Sequence, residues 1–110
     1  SPHDTTQSLR VAAVSVLYSA VSQQPALLQD CVMEVVPRLL HLCRMQSSPS
    51  PLVRVLAIDT VASLAQLPHS STFPVHESVL RCLAECVDDA KRAVRRKAAV
   101  ARGVWSVLAV

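Results

Sequence analysis

Apolar residues recur along this chain at spacings of three and four, in five stretches parted by Pro- and Ser-rich breaks, which is the period of helices burying one face. In the first, about 5–21, Leu9, Ala13, Val16, Leu17 and Ala20 form the core-facing stripe. Asp4 with Gln7 three residues on reads as a capping box. After S-Q-Q-P a second helix is expected over 25–44, opened by Pro25. Its apolar set is Leu28, Val32, Val35, Val36, Leu39, Leu40, Leu42 and Cys43, and Pro37 should bend it. The breaker S-S-P-S-P then sets Ser50 as N-cap and Pro51 at the first position of a third helix, 51–67. Pro68 to Pro74 forms a loop in which Phe73 is expected to plug the space between helices. A fourth helix, 75–87, carries Val79, Leu80, Leu83, Cys86 and Val87.

The last stretch, Asp88 to Val110, holds the densest charge and the sole Trp. At 100° per residue a helix over 90–108 sets Val94, Ala98, Ala101, Trp105 and Leu108 on one face, with Asp89 as N-cap. Lys91, Arg92, Arg95, Arg96 and Arg102 fall in a band beside that face, and Lys97 lies away from it. Gly103 weakens the helix by about 1 kcal/mol relative to Ala, but the stripe continues past it, so the helix is expected to run through.

Composition narrows the class. Hydrophobic residues make up 51% of the 110, with aromatics at 3%, one Gly and no Asn, so hairpin turn chemistry is scarce and an all-α fold follows. The longest uncharged run, Val11 to Gln29, is broken by Ser, Gln and Pro and is too polar for a bilayer span. The start S-P-H-D has neither Met nor a basic, apolar leader, and we read it as an internal start rather than a targeting segment.

The four cysteines, Cys31, Cys43, Cys82 and Cys86, lie inside the expected helices rather than in C-x-x-C loops. Cys82 and Cys86 share a face, and His76 or His41 would be the further ligands of a metal. The favoured reading is buried small hydrophobes in a reducing compartment, with no metal and no cofactor. No His is spaced with a nucleophile and an acid on loops and no Gly-rich phosphate loop exists, so an enzyme is not expected. A net charge of +3 suits phosphate contacts, yet no aromatics interleave with the cations to stack bases, which makes direct nucleic-acid binding the weaker alternative.

The helices repeat. Leu9-Arg10-Val11-Ala12-Ala13, Val53-Arg54-Val55-Leu56-Ala57 and Val94-Arg95-Arg96-Lys97-Ala98 share apolar-Arg-x-x-Ala early in a helix, with the arginines at positions 10, 54 and 95. These separations fall in the period of about 40–47 residues of two-helix HEAT or armadillo units, which bury their faces only by stacking into an α-solenoid. Five residues before each apolar position stand Asp4, Ser48 and Asp89. HEAT units resemble this in pairing an acid with the Arg of a neighbouring repeat, so the ladder should be incomplete at Ser48. The three arginines are therefore read as architecture first. Arg102 stands where the middle helix has Val61, a cation in an apolar place, as a C-terminal capping repeat requires. The first helix aligns with the second members of the later pairs, so its own partner is expected upstream of Ser1. An armadillo-type peptide groove is disfavoured, since such grooves resemble one another in using Asn ladders.

The run D-D-x-K-R-x-V-R-x-x-A-x-x-A-R-G-x-W, carried by Asp88, Asp89, Lys91, Arg92, Val94, Arg95, Ala98, Ala101, Arg102, Gly103 and Trp105, resembles the C-terminal end of a family of large HEAT-repeat scaffolds. These belong to the cytosolic iron–sulfur cluster assembly targeting complex and are known for methyl methanesulfonate sensitivity and nucleotide-excision repair. S-S-P-S-P-L-V-R and L-P resemble it more loosely, so the likeness covers about 47–105. It implies a non-catalytic adaptor that docks the small adaptor subunit and, through it, a WD-repeat propeller subunit. It also implies delivery of clusters to iron–sulfur client enzymes of DNA repair and replication in the cytoplasm and nucleus, with no stable cluster on this chain and no membrane. The partner-binding candidates are Arg92, Arg95, Arg96 and Arg102, with Trp105 either a partner anchor or a lid on the core.

Overall fold

The computed structural model describes residues 2–108, and of residues 2–7, 21 and 25–27 the backbone alone. Helix α1 spans Pro2–Gln23, a 3-10 segment Pro25–Cys31 leads into α2 (Val32–Cys43), and α3 spans Pro51–Leu64. A short α4 (His69–Thr72) and a 3-10 turn (Phe73–Val75) lead into α5 (His76–Cys86), and α6 spans Arg92–Ser106. Among the described residues there is no strand, and no helix is long and apolar enough to cross a membrane.

The helices lie in two layers. α1, α3 and α6 stand side by side in one, while α2 and α5 form the other, α2 against α3 and α5 against α6. The slab measures 43 × 29 × 19 Å, and its core runs through the middle: Val36, Leu39 and Cys43 from α2, Ala57, Ile58, Val61 and Leu64 from α3, Val79, Cys82 and Leu83 from α5, and Val94, Ala98, Ala101 and Trp105 from α6. This is an α-solenoid arrangement, in which each helix pair covers the apolar face of the next.

Local chemistry sets several of the ends. The Ser50 hydroxyl accepts the Val53 N–H at 3.3 Å, with Pro51 at the start of α3, as the S-P-S-P break implies. Gly103 sits inside α6 and a Cβ added there would meet nothing within 4 Å, so the helix passes through it to Ser106.

Other expectations are corrected. The second stretch is not one bent helix: its first seven residues are 3-10, with the change of winding at Cys31–Val32, and α2 then runs through Pro37. Phe73 plugs nothing. It is 52% exposed and stacks on the His69 ring, centroids 5.4 Å apart, because the 3-10 turn points it outward. The Asp4–Gln7 cap falls on side chains outside those described, and α1 already begins at Pro2.

The largest departure is on α1. Leu9 and Val16, expected in the core, are 66% and 69% exposed, Ala13 is exposed too, and the buried residue is Val14, turned toward α3. Leu9 and Ala13 occupy the places where α3 buries Val53 and Ala57. The expected core stripe is therefore not a core face here: Leu17 and Ala20 are half-buried, and nothing among the described residues covers Leu9, Ala13 and Val16.

Candidate partner-binding face

The turn before α6 organises this end of the molecule. Asp89 is buried, and its carboxylate receives two donors from buried Arg54, Nε–H to Oδ2 at 2.8 Å and a terminal N–H to Oδ1 at 3.0 Å. The remaining guanidinium nitrogen of Arg54 donates to the Ser48 carbonyl. Asp89 also accepts the Lys91 N–H at 2.9 Å, which fixes the turn. Asp89 is thus not the N-cap: Lys91 holds that position and caps with no side chain, because the carboxylate is turned inward to meet the arginine of the preceding repeat. The acid-to-arginine link between repeats is present where the sequence has Asp. At Ser48, the equivalent place one repeat earlier, a buried hydroxyl has no hydrogen-bond partner among the described residues.

Trp105 locks the far end of α6. It is fully buried, its Nε1–H donates to the Val61 carbonyl at 2.8 Å, and the Nε2–H of His76 donates to the Trp105 carbonyl at 3.0 Å. Val61 lies in the last turn of α3, so the indole satisfies a carbonyl that the helix itself leaves open. The candidate partner anchor is therefore corrected to a lid on the core. Its hydrogen bonds tie α6 to α3 and α5.

Those arginines are brought together. Arg92, Arg95, Arg96 and Arg102 are all exposed on α6. Lys97 points away to α3, where it pairs with Asp59 at 3.3 Å. Arg102 is exposed where the equivalent Val61 is buried. Arg95 is tethered, one terminal nitrogen donating to the carbonyls of Asp89 and Ala90 at 2.9 and 3.1 Å. Alongside the cations, Val100 and Val104 on the same helix and Val107 just past its end form an exposed apolar strip. This strip was not singled out in the sequence. The signal was available, since the three valines fall at i, i+4 and i+7 off the buried stripe.

The cysteines belong to the interior. Cys43, Cys82 and Cys86 are buried, the Cys82 thiol directed at the Leu40 carbonyl (3.6 Å) and that of Cys86 at the Cys43 carbonyl (3.4 Å). A hydrogen bond with Cys43 chiefly pushes the Cys82 thiol up to about 12, Cys86 pulls it the other way, and burial adds to the rise. Cys86 is likewise pushed up, by its hydrogen bond with Cys82 and by burial. Among the described residues no group of three or more His, Cys, Asp or Glu is placed to hold a metal ion. At pH 8 a thiol-reactive disulfide reagent should label Cys31, which is half-buried, rapidly, and the other three only after denaturant is added. Because the folded state keeps protons that an unfolded thiol releases, the contribution of these groups to stability is complete below the ordinary thiol range of about 8.5. It is lost as pH rises toward about 12. Four equally fast thiols in the native chain would contradict this packing.

Fold and site together define a class: a HEAT-type, armadillo-like α-solenoid segment whose exposed chemistry is an arginine edge. No family model matches the chain. It is 34% identical over 100 residues, 91% of its length, to the human MMS19 nucleotide excision repair protein homolog, covering 9% of that protein. It is 38% identical over 84 residues, 76% of its length, to the zebrafish protein of the same name, covering 8%. With the fission yeast DNA repair/transcription protein mms19 it shares 28% over 101 residues, 91% of its length and 10% of that protein. The chain belongs to the MMS19 family, and it spans about a tenth of the length of the curated relatives it matches. Their names are those of DNA repair and transcription proteins, and none names an enzyme activity.

Proposed function

We propose that this chain is a non-catalytic docking segment, near the C-terminal end of a scaffold of the cytosolic iron–sulfur protein assembly targeting complex. In this reading it holds the small adaptor subunit, and through it the WD-repeat propeller subunit. Clusters would then reach iron–sulfur clients of DNA repair and replication in the cytoplasm and nucleus. The observation that carries the reading is the set of four exposed arginines on one edge of α6, a helix fixed from below by Trp105 and by the Asp89–Arg54 pair. The family's repair names and the D-D-x-K-R-x-V-R run at this edge support it. Oriented cations on a rigid helix steer an acidic partner and set its register more than they add raw affinity.

The test is co-elution of the chain with the purified small adaptor subunit at near-physiological salt, comparing wild type with an Arg92→Glu/Arg96→Glu variant. The expected outcome is a stable complex for wild type and a loss of affinity of about tenfold or more for the variant, with the helical circular dichroism unchanged. A variant that binds as well as wild type removes these two arginines from the interface. Tight, steeply salt-dependent binding to random duplex DNA without adaptor binding would favour a direct phosphate contact instead.

A further inference from the structure

Arg54 and Arg95 stand in the same place of successive repeats, and each guanidinium is tethered in the same way. Arg54 donates one terminal N–H to the carbonyl six residues before it, that of Ser48, and Arg95 does so to that of Asp89. For Arg54 this leaves the edge formed by Nε–H and the second terminal nitrogen facing the next repeat, where Asp89 fills it with both carboxylate oxygens. For Arg95, among the described residues, no acidic side chain fills that edge, and the residue is exposed. The residues beside it on this edge of α6 are small or cationic: Ala99, Arg102, Gly103 and Ser106 stand where α3 has Ile58, Val61, Ala62 and Ala65. The edge is therefore unsuited to another apolar repeat and suited to a polar, acidic one.

We propose that Arg95 is a preformed carboxylate socket, and that an acidic protein partner docks on the open edge of α6 by placing an Asp or Glu there in the two-pronged contact that Asp89 makes with Arg54. The socket is preorganised because its tether to two backbone carbonyls fixes the guanidinium plane before the partner arrives, so less side-chain freedom is lost on binding. It selects planar carboxylates over point anions, since two parallel N–H donors match two oxygens. Asp89 also accepts the Lys91 N–H, so the mode implies an acid in a turn just before a helix rather than within one. As the partner's identity rests on the reading given above, the socket is tested both without the adaptor subunit and with it.

In the first arm the arginine Nε–H signals of the wild-type chain are followed by NMR while acetyl-aspartate amide is added. The expected result is a saturable shift of Arg95 at concentrations where Arg92, Arg96 and Arg102 barely move, and equal small shifts of all four on adding inorganic phosphate. Equal shifts with the carboxylate, or an Arg95 signal already occupied by a carboxylate of this chain, overturn the socket. In the second arm Arg95→Lys, which keeps the charge and loses the fork, should weaken adaptor binding about tenfold or more, while Arg92→Lys changes it less than about twofold. Equal effects of the two lysine variants overturn the docking mode. A socket that passes the first arm in a wild-type chain that binds no adaptor stands, and it is then the adaptor reading that falls. Duplex DNA binding that is lost in Arg95→Lys, with no carboxylate selectivity, overturns the acidic-protein partner.

Discussion

Asp89→Ala is expected to destabilise the chain by about 3–5 kcal/mol, a large part of what holds a domain of this size together. The substitution leaves the Arg54 guanidinium buried with one carbonyl partner in place of a bidentate carboxylate, and it frees the turn that Asp89 fixes through the Lys91 N–H. An unpaired buried cation is the costly state, so removing both charges should be far milder. Arg54→Met/Asp89→Leu is expected to recover most of the loss, because a buried ion pair is commonly worth little more than well-packed apolar side chains of its size. Urea unfolding of the two single variants and the double variant gives the coupling. A single-variant cost under about 1 kcal/mol would mean that water or a shifted loop compensates Arg54.

Trp105→Ala is expected to cost a similar or larger amount, about 3–5 kcal/mol for the cavity, with a further loss for the Val61 carbonyl left without its donor. Trp105→Phe refills part of the space and leaves the carbonyl orphaned, so it should fall between alanine and wild type. In both variants the unfolding midpoint should drop with little change in its denaturant slope. If the tryptophan were instead a partner anchor, Trp105→Ala would leave stability near wild type and lose binding alone.

These two residues show what could be read in the sequence and what could not. The repeat of apolar-Arg-x-x-Ala, with an acid five residues ahead in two of its three copies, resembles HEAT units closely enough to expect that an acid in one repeat meets an arginine in its neighbour, and Asp89 and Arg54 do so. The stripe Val94, Ala98, Ala101 and Trp105 was equally legible, since helical spacing fixes a face. The local capping rule misplaced Asp89, for a carboxylate beside a helix start has two uses and the buried guanidinium, a tertiary feature, took it. Periodicity placed Leu9 and Val16 on a core face but carries no information on whether a helix lies over that face. The indole N–H contact with Val61 depends on the angle between α3 and α6, and the tether of Arg95 on the path of the turn just before its own helix, neither of which a single-helix pattern encodes. The arginine edge was visible as a band on a helical wheel with Lys97 already off it, and the structure adds that Lys97 pairs with Asp59 and that Arg95 is held while its neighbours extend into solvent.

The open edge of α6 is the proposed landing place of the partner. The most direct measurement is a map of amide chemical-shift changes on this chain as the purified small adaptor subunit is added at near-physiological salt. Changes concentrated in residues 89–106, strongest around Arg92, Arg95, Arg96 and Arg102, are the predicted result. Changes confined to α2 and α5, or to the uncovered stripe of α1, with α6 silent, would contradict it.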